Sequence, residues 1–403
     1  MMRSLASMLC GSGALAIVGC ASPAPAGPPA VTFRGTAPLG ATATDQNGQS
    51  FAVAGLSGIV HLGDGRFASV MDNSSRVVLL DVAVNDNGSI ASAAISGGLT
   101  LSQSRDHEGI CHGTSCEGSF FISDETSGPP AIPSVHEYDR ATGQLLRTIE
   151  PPEVFRQAVA NFGFEALTRS PSGGVVWTAN EEALGFDGPL SSPTNGTLVR
   201  LLQWRVSGQA LEPVSQRVYQ TEPMHAGPIN GGRSGVVSMV ALPDGRLLVL
   251  ERALAASFLS PFRCRIYLVE FEGATEVSGM TDGLVGAEFT TVGKTLLWSG
   301  NVTNMEGLAL GRPLPGGSWS LIGIVDDGDP ISQNTVVAFE LSGVGPIAED
   351  LDGDGAVQAE DVYRWHMSPV DVTGDARIDA ADGLAVADAA RTVEACDASG
   401  GQR

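Results

Sequence analysis

Carboxylates recur in this sequence at matching places in a repeated pattern. Glu108, Glu165 and Glu306 head the short motifs Glu108-Gly109-Ile110, Glu165-Ala166-Leu167 and Glu306-Gly307-Leu308. Each motif is followed by a strand-like run that closes on more acids, at Asp124-Glu125, Glu181-Glu182 and Asp326-Asp327. Two further copies run from Ser57-Gly58-Ile59 to Asp72-Asn73 and, with no acid at the head, from Val237-Ser238-Met239 to Glu251-Arg252. Acids flanked by apolar residues are expected to be half buried. Close carboxylates raise one another's pKa values until a cation compensates them. An all-oxygen donor set selects Ca²⁺ or Mg²⁺ over zinc. The competing reading is that turns favour Asp and Glu, each satisfied by local backbone.

The elements that must position these acids are short strands. Runs such as Arg76-Val77-Val78-Leu79-Leu80, Val175-Val176-Trp177 and Leu247-Leu248-Val249-Leu250 alternate with Gly, Pro, Asn and Asp, and helix signals are few beyond Val154 to Ala160. The repeat heads at 57, 108, 165, 238 and 306 lie 51, 57, 73 and 68 residues apart. Four-stranded blades have such a period, so the fold class is all-β, a β-propeller of five to six blades. A sixth blade would occupy a long gap or be closed by strands from both termini. Equivalent positions of a propeller converge on one face, which gathers Asp72, Glu108, Asp124, Glu125, Glu165, Glu181, Glu251, Glu306, Asp326 and Asp327 at one mouth.

The same segments, Gly55-Leu56-Ser57-Gly58-Ile59, His107-Glu108-Gly109-Ile110, Asn161 to Leu167, Leu250-Glu251-Arg252 and Asn304 to Leu310, resemble the phytase-like ("esterase-like activity of phytase") family over about residues 51–342. The resemblance implies an exported phosphoester hydrolase whose recurrent acids form the site. In this reading Ca²⁺ ions are held by Glu108, Asp124, Glu165, Glu181 and Glu306, where they bind phosphate and acidify water. Arg252, Arg105 and Lys294 are the candidates to grip a phosphoester substrate. The catalytic set is Glu108, Glu165, Glu181, Glu306 and Arg252, and the substrate-binding set is Arg105 and Lys294. His107 is either a general acid or a structural residue. Ser57 does not sit in a Gly-x-Ser-x-Gly elbow. A non-catalytic ligand- or protein-binding propeller is the alternative.

Past Pro346 the composition shifts to Asp and Ala. Asp350, Asp352, Asp354, Gln358 and Asp361 fall at positions 1, 3, 5, 9 and 12 of an EF-hand-like loop with Gly355 at position 6. A weaker second loop has Asp371, Asp375, Asp379 and Asp382. Helices are expected from Ala359 to His366 and from Ala380 to Val393. The pair resembles a dockerin-like module, which implies a cohesin-like protein partner; calcium bound for stability alone is the equal alternative.

The N-terminus reads as a targeting segment. Arg3 precedes an apolar stretch and Ile17-Val18-Gly19-Cys20, which resembles a lipobox with Cys20 lipidated; cleavage after Ala26 is the competing reading. The domain plan is a signal peptide (1–20), a Pro/Ala linker (21–31), the propeller (32–346), the calcium module (347–396) and a tail (397–403). Cys111 and Cys116 are candidates for a local disulfide, with Cys264 to Cys396 left by elimination, and free buried thiols are the alternative. With 45 acids against 23 bases the net charge is -22, and Lys294 is the only lysine. Such a surface repels nucleic acid and anionic lipid, so membrane contact is expected only through the lipid anchor. An anionic ligand needs a local positive focus.

Overall fold

The computed structural model describes residues 28–115, 118–126, 132–258, 260–351, 357, 359–373 and 377–394. Cys20, Cys116, Asp352, Asp354, Gln358, Asp375 and Cys396 lie outside the described residues. The β-runs form five antiparallel four-stranded blades. Strand β1 (Ala30–Pro38) leads into a small hairpin, β2 (Thr42–Thr44) and β3 (Ser50–Ala52). Blade 1 is β4 (Leu56–Gly63), β5 (Arg66–Met71), β6 (Ser74–Val84) and β7 (Ile90–Arg105). Blade 2 is β8 (His107–His112), β9 (Ser119–Asp124), β10 (Ser134–Asp139) and β11 (Leu145–Ile149). Blade 3 is β12 (Phe164–Arg169), β13 (Val175–Asn180), β14 (Leu198–Ser207) and β15 (Ala210–Gln220). Blade 4 is β16 (Arg233–Ala241), β17 (Leu247–Leu254), β18 (Phe262–Glu270) and β19 (Gly293–Gly300). Blade 5 is β20 (Met305–Leu314), β21 (Ser318–Val325) and β22 (Thr335–Ser342), and its fourth strand is β1.

The N-terminal strand therefore closes the ring, and the long gaps hold loops and long hairpins rather than a sixth blade. The expected helix near Val154 is a short 3-10 turn, Glu153–Gln157. Two helices follow the propeller, α1 (Ala359–Met367) and α2 (Ala380–Glu394).

Blades pack face to face, so most middle strands are buried on both faces and read as continuous apolar runs. In β9, Phe120 and Ile122 face blade 1, packing with Val70 and Leu99, while Phe121 faces blade 3 with Phe164 and Trp204. One apolar cluster fills each of the five interfaces. The cluster between blades 4 and 5 also takes in Val344, Ile347, Val357, Val386 and Ala390, so the C-terminal helices share a core with the propeller. Cys111 and Cys264 are free, buried thiols. This corrects the bridge expected at Cys111, whose side chain is packed in the core between blades 2 and 3.

The innermost strands β4, β8, β12, β16 and β20 ring the central channel, each beside the next. Their closeness explains the small residue after each head. A Cβ on Gly58 would lie 2.4 Å from the Glu108 carbonyl oxygen, and one on Gly307 2.6 Å from that of Ser57. On Gly109 it would lie 2.7 Å from the Leu167 backbone nitrogen. Gly109→Ala is accordingly expected to destabilise the protein by roughly 1–3 kcal/mol, read as a lowered denaturation midpoint.

Candidate functional site

Every head carries a β-bulge. Phe164 pairs with Asn180 and Ala166 with Ala179, leaving Glu165 as the extra residue. Met305 pairs with Val325 and Gly307 with Ile324, leaving Glu306. The same slip falls at Glu108-Gly109, at Ser57-Gly58 and at Val237 in blade 4, one residue before the head at Ser238 expected from sequence. A bulge re-aims a side chain out of the pleat. Here it brings Glu108, Glu165 and Glu306 to one channel mouth, where they line a cleft of about 370 Å³.

A second ring comes from the ends of the second strands. The N–H groups of Asp72, Glu125, Glu181 and Asp326 donate to the carbonyls of Gly55, Asp106, Gly163 and Asn304, each two residues before its head. In blade 4 the equivalent pair is Gly235 with Arg252. An arginine thus stands where the other blades place an acid.

In blades 2 to 5 strand alternation sends one member of each closing pair into the cleft and the other away, whereas in blade 1 both Asp72 and Asn73 line it. Asp124 is turned away, bonded by Arg105 at 3.0 Å and His136 at 3.2 Å. Burial alone would raise its carboxyl, but these two partners hold it below the usual range. Glu251 is turned away as well, accepting from Tyr219 at 2.7 Å and from Lys294 at 2.9 Å. Lys294 also reaches Glu222 and lies over the rings of Tyr219 and Tyr267. Asp327 faces Gly55 and Asn334. Arg105 and Lys294, expected on substrate, and Asp124, expected on metal, are therefore spent on structural ion pairs outside the cleft. His107 is buried between the Ser74 carbonyl and the Tyr138 hydroxyl, a structural role.

Within the cleft, Arg252 donates to Glu181 at 3.0 Å, to Asn304 at 2.7 Å and to Glu306. Arg233 holds the other Glu181 oxygen at 3.0 Å. Among the described residues, the carboxylates nearer blades 1 and 2 have no such ion pair. Ser57 donates to Glu108 at 2.6 Å. One oxygen each of Asp72, Asp106 and Glu108 lie within 4.8 Å of one another, and so do oxygens of Glu108, Glu125 and Glu165. Glu108 belongs to both triads. Glu125 is buried and its Oε1 has no hydrogen-bond partner.

Burial, then the neighbouring acids, pushes Glu108, Glu125 and Glu165 well above the usual carboxylate range. Burial raises Asp106 to about 7, helped by Asp72. It also raises Glu306 to about 8 despite the opposing pull of Arg252. Sequence reasoning passed over Asp106 and Arg233. The signal for Asp106 was available, since it lies two before a head, as Gly55, Gly163 and Asn304 do.

The sequence profile of the phytase-like family, described as "Esterase-like activity of phytase", matches residues 52–329. The chain belongs to the phytase-like family. No curated protein matches it in sequence. Among solved structures, this phytase-like propeller is similar to a protein of unknown function from Dyadobacter fermentans, at 11% identity and TM-score 0.34, over 78% of this chain and 99% of that one. It is similar to a streptogramin B lyase at 10% identity and TM-score 0.29, over 72% and 94%, and to the Dos1 propeller at 9% and 0.33, over 75% and 72%.

In the C-terminal module, Asp361 and Asp382 are buried. Asp361 accepts from the Leu351 N–H at 2.6 Å. Asp382 accepts from the N–H groups of Asp379, Thr373 and Val372, and its carboxyl is held down to about 2, chiefly by Asp379 and then Thr373. Asp350 and Asp371 open the two loops before α1 and α2.

The raised acids of the cleft give a pH dependence of stability. Between pH 6.5 and about 8 the folded chain keeps protons on Asp106 and Glu306 that the unfolded chain has released, so stability falls as pH rises. His61 and His107, both pushed down to about 4, act in the opposite sense, but only below their ordinary value of 6.5. In EDTA the melting temperature is therefore expected to be lower at pH 8 than at pH 6.5, and Glu306→Gln should flatten that difference.

Proposed function

We propose that this phytase-like propeller is a hydrolase that cleaves phosphoesters at the acid mouth with the help of Ca²⁺. The observation that carries this reading is the pair of carboxylate triads sharing Glu108, together with the buried Glu125 oxygen that no protein group satisfies. An orphaned acceptor among crowded carboxylates fits a bound cation, and six-to-eight-oxygen Ca²⁺ suits so many carboxylates better than zinc. Asp72, Asp106, Glu108, Glu125 and Glu165 would hold it. When bound it would supply Lewis-acid charge for a phosphoryl oxygen and a more acidic water.

The chain's own residues do the rest. Ser57 fixes the Glu108 carboxyl through its hydrogen bond. Arg252 and Arg233 give the cleft its cationic side, where an anionic group can approach. Glu306, with its carboxyl up at about 8, carries a proton at neutral pH and can deliver it to a leaving oxygen.

Release of phosphate from a panel of phosphomonoesters, with and without EDTA, tests the reading. Activity is expected to stop in EDTA and to return with Ca²⁺. Glu108→Gln should lower kcat by about 100-fold or more. Silence across the panel in saturating Ca²⁺ sinks the enzymatic reading in favour of a binding propeller.

Export and a lipid anchor at Cys20 are part of the same proposal, supported by the lipobox-like segment. For the C-terminal module we propose Ca²⁺ in the Asp350–Asp361 loop and, less firmly occupied, in the loop from Asp371 to Asp382. Docking onto a cohesin-like protein is supported by exposed apolar side chains concentrated there: Tyr363, Met367, Val370, Ile378 and Leu384 are 40–65% exposed. The shared core with the propeller supports calcium for stability alone.

A further inference from the structure

The other end of the central channel opens into a larger cavity of about 910 Å³. The residue four after each head reaches this end: His61, His112, Arg169, Ala241 and Leu310 in blades 1 to 5. Their pairing is equivalent, with Phe67, Phe120, Val176, Leu247 and Leu321 respectively, each five residues before the cleft residue of the same blade. Three consecutive blades thus place nitrogen donors where the remaining two place aliphatic or small side chains.

The donors are tied to neighbouring backbone and leave capacity to spare. His112 Nε2 donates to the His61 carbonyl at 2.8 Å. Arg169 donates to the carbonyls of Gly113 at 2.5 Å and Gly173 at 2.8 Å. These bonds use Nη1 and Nε and fix the guanidinium plane. Among the described residues no carboxylate lies within ion-pair distance of Arg169 or of Arg140, which lines the same cavity. His61 Nε2 is buried without a partner. Among the described residues the only acid lining the cavity is Asp64, whose side chain is 93% exposed and turned to Arg66. Opposite this arc the wall is mostly apolar, with Met239, Leu308, Leu310 and Trp319, and the one cation there among the described residues, Arg312, is engaged with the Val84 carbonyl and Asp86. On a chain of net charge -22, a cavity with arginines lacking a carboxylate partner is the local positive focus that an anion needs.

We propose that this cavity binds a small amphiphilic anion, its single carboxylate or phosphate head on Arg169 and Arg140 and its apolar body against blades 4 and 5. The volume is that of an ordinary small-molecule site, and mixed walls with a few convergent donors are the usual arrangement of one. Arg169 gives the head a fixed, charge-assisted donor. Burial keeps His61 and His112 neutral at pH 7, His61 down to about 4, so they offer hydrogen bonds rather than charge. The site is independent of the chemistry at the acid mouth.

Calorimetric titration of the full chain with decanoate, decyl phosphate and inorganic phosphate, at low salt and below micelle formation, tests it. One equivalent of decanoate or decyl phosphate is expected to bind, and inorganic phosphate about tenfold or more weakly for want of the apolar body. Arg169→Gln should weaken the amphiphiles by about tenfold or more. Because that change also removes bonds to two carbonyls, Arg140→Gln, an exposed position, serves as a second variant and should weaken them about threefold. No binding of either amphiphile to the wild-type chain overturns the proposal. So does equal binding by inorganic phosphate, or unchanged affinity in a folded variant of Arg169 or, where that variant does not fold, of Arg140.

Discussion

Crowding of buried carboxylates at one channel mouth governs much of this structure. Asp72, Asp106, Glu108, Glu125, Glu165, Glu181, Glu306, Asp326 and Asp329 line a cleft of about 370 Å³ where, among the described residues, only Arg233 and Arg252 oppose them. Full ionisation there is unfavourable twice over, through lost hydration and through mutual repulsion. Protons, arginines or a bound cation must make up the deficit. The blades share this load unequally. Blade 4 omits both acids, with Val237 at its bulge and Arg252 at its strand end. Blade 1 replaces the head acid with Ser57, which donates to Glu108 instead of repelling it.

That asymmetry divides the cleft. On the side of blades 3 to 5, Arg252 and Arg233 pair with Glu181, and Arg252 also donates to Glu306. Among the described residues Asp72, Asp106, Glu108, Glu125 and Glu165 have no such ion pair, and burial with neighbouring acids raises the carboxyls of Asp106, Glu108, Glu125 and Glu165. Both arginines of the cleft thus stand on one side, and the other side relies on protons or a cation alone. The same five inner strands carry nitrogen donors at their opposite ends in blades 1 to 3, so the two mouths of one channel differ in sign. A propeller permits this because its interfaces are filled by apolar clusters that leave the strand ends free to vary.

The repeat was legible because propeller blades obey a period that chain length cannot hide. The head motifs mark the bulges, and the closing acids mark the ends of the second strands, to within a residue. The expected ring of Glu108, Glu165, Glu181 and Glu306 is present. Which member of each closing pair faces inward was not legible, because a one-residue slip at a bulge exchanges the two faces of a strand. Glu125 rather than Asp124, and Arg252 rather than Glu251, follow from that register. Arg105 and Lys294 misled for a related reason. A rare cation looks like a ligand anchor, but a buried acid on a neighbouring strand claims it first.

The sequence by itself determined the all-β class, the repeated heads, the acid balance and the two C-terminal helices, since each depends on local periodicity or composition. Only the tertiary structure decided the number of blades. Pairing of Ala30–Pro38 with Thr335–Ser342 joins segments about 300 residues apart, and no local signal announces such a partner. It also decided that Glu108 lies between two carboxylate neighbourhoods, one on its own blade and blade 1, the other reaching to blade 3. The physical reason is the same in both cases. Ring closure and the bulges set distances between blades, and the chemistry of the mouth is a matter of those distances.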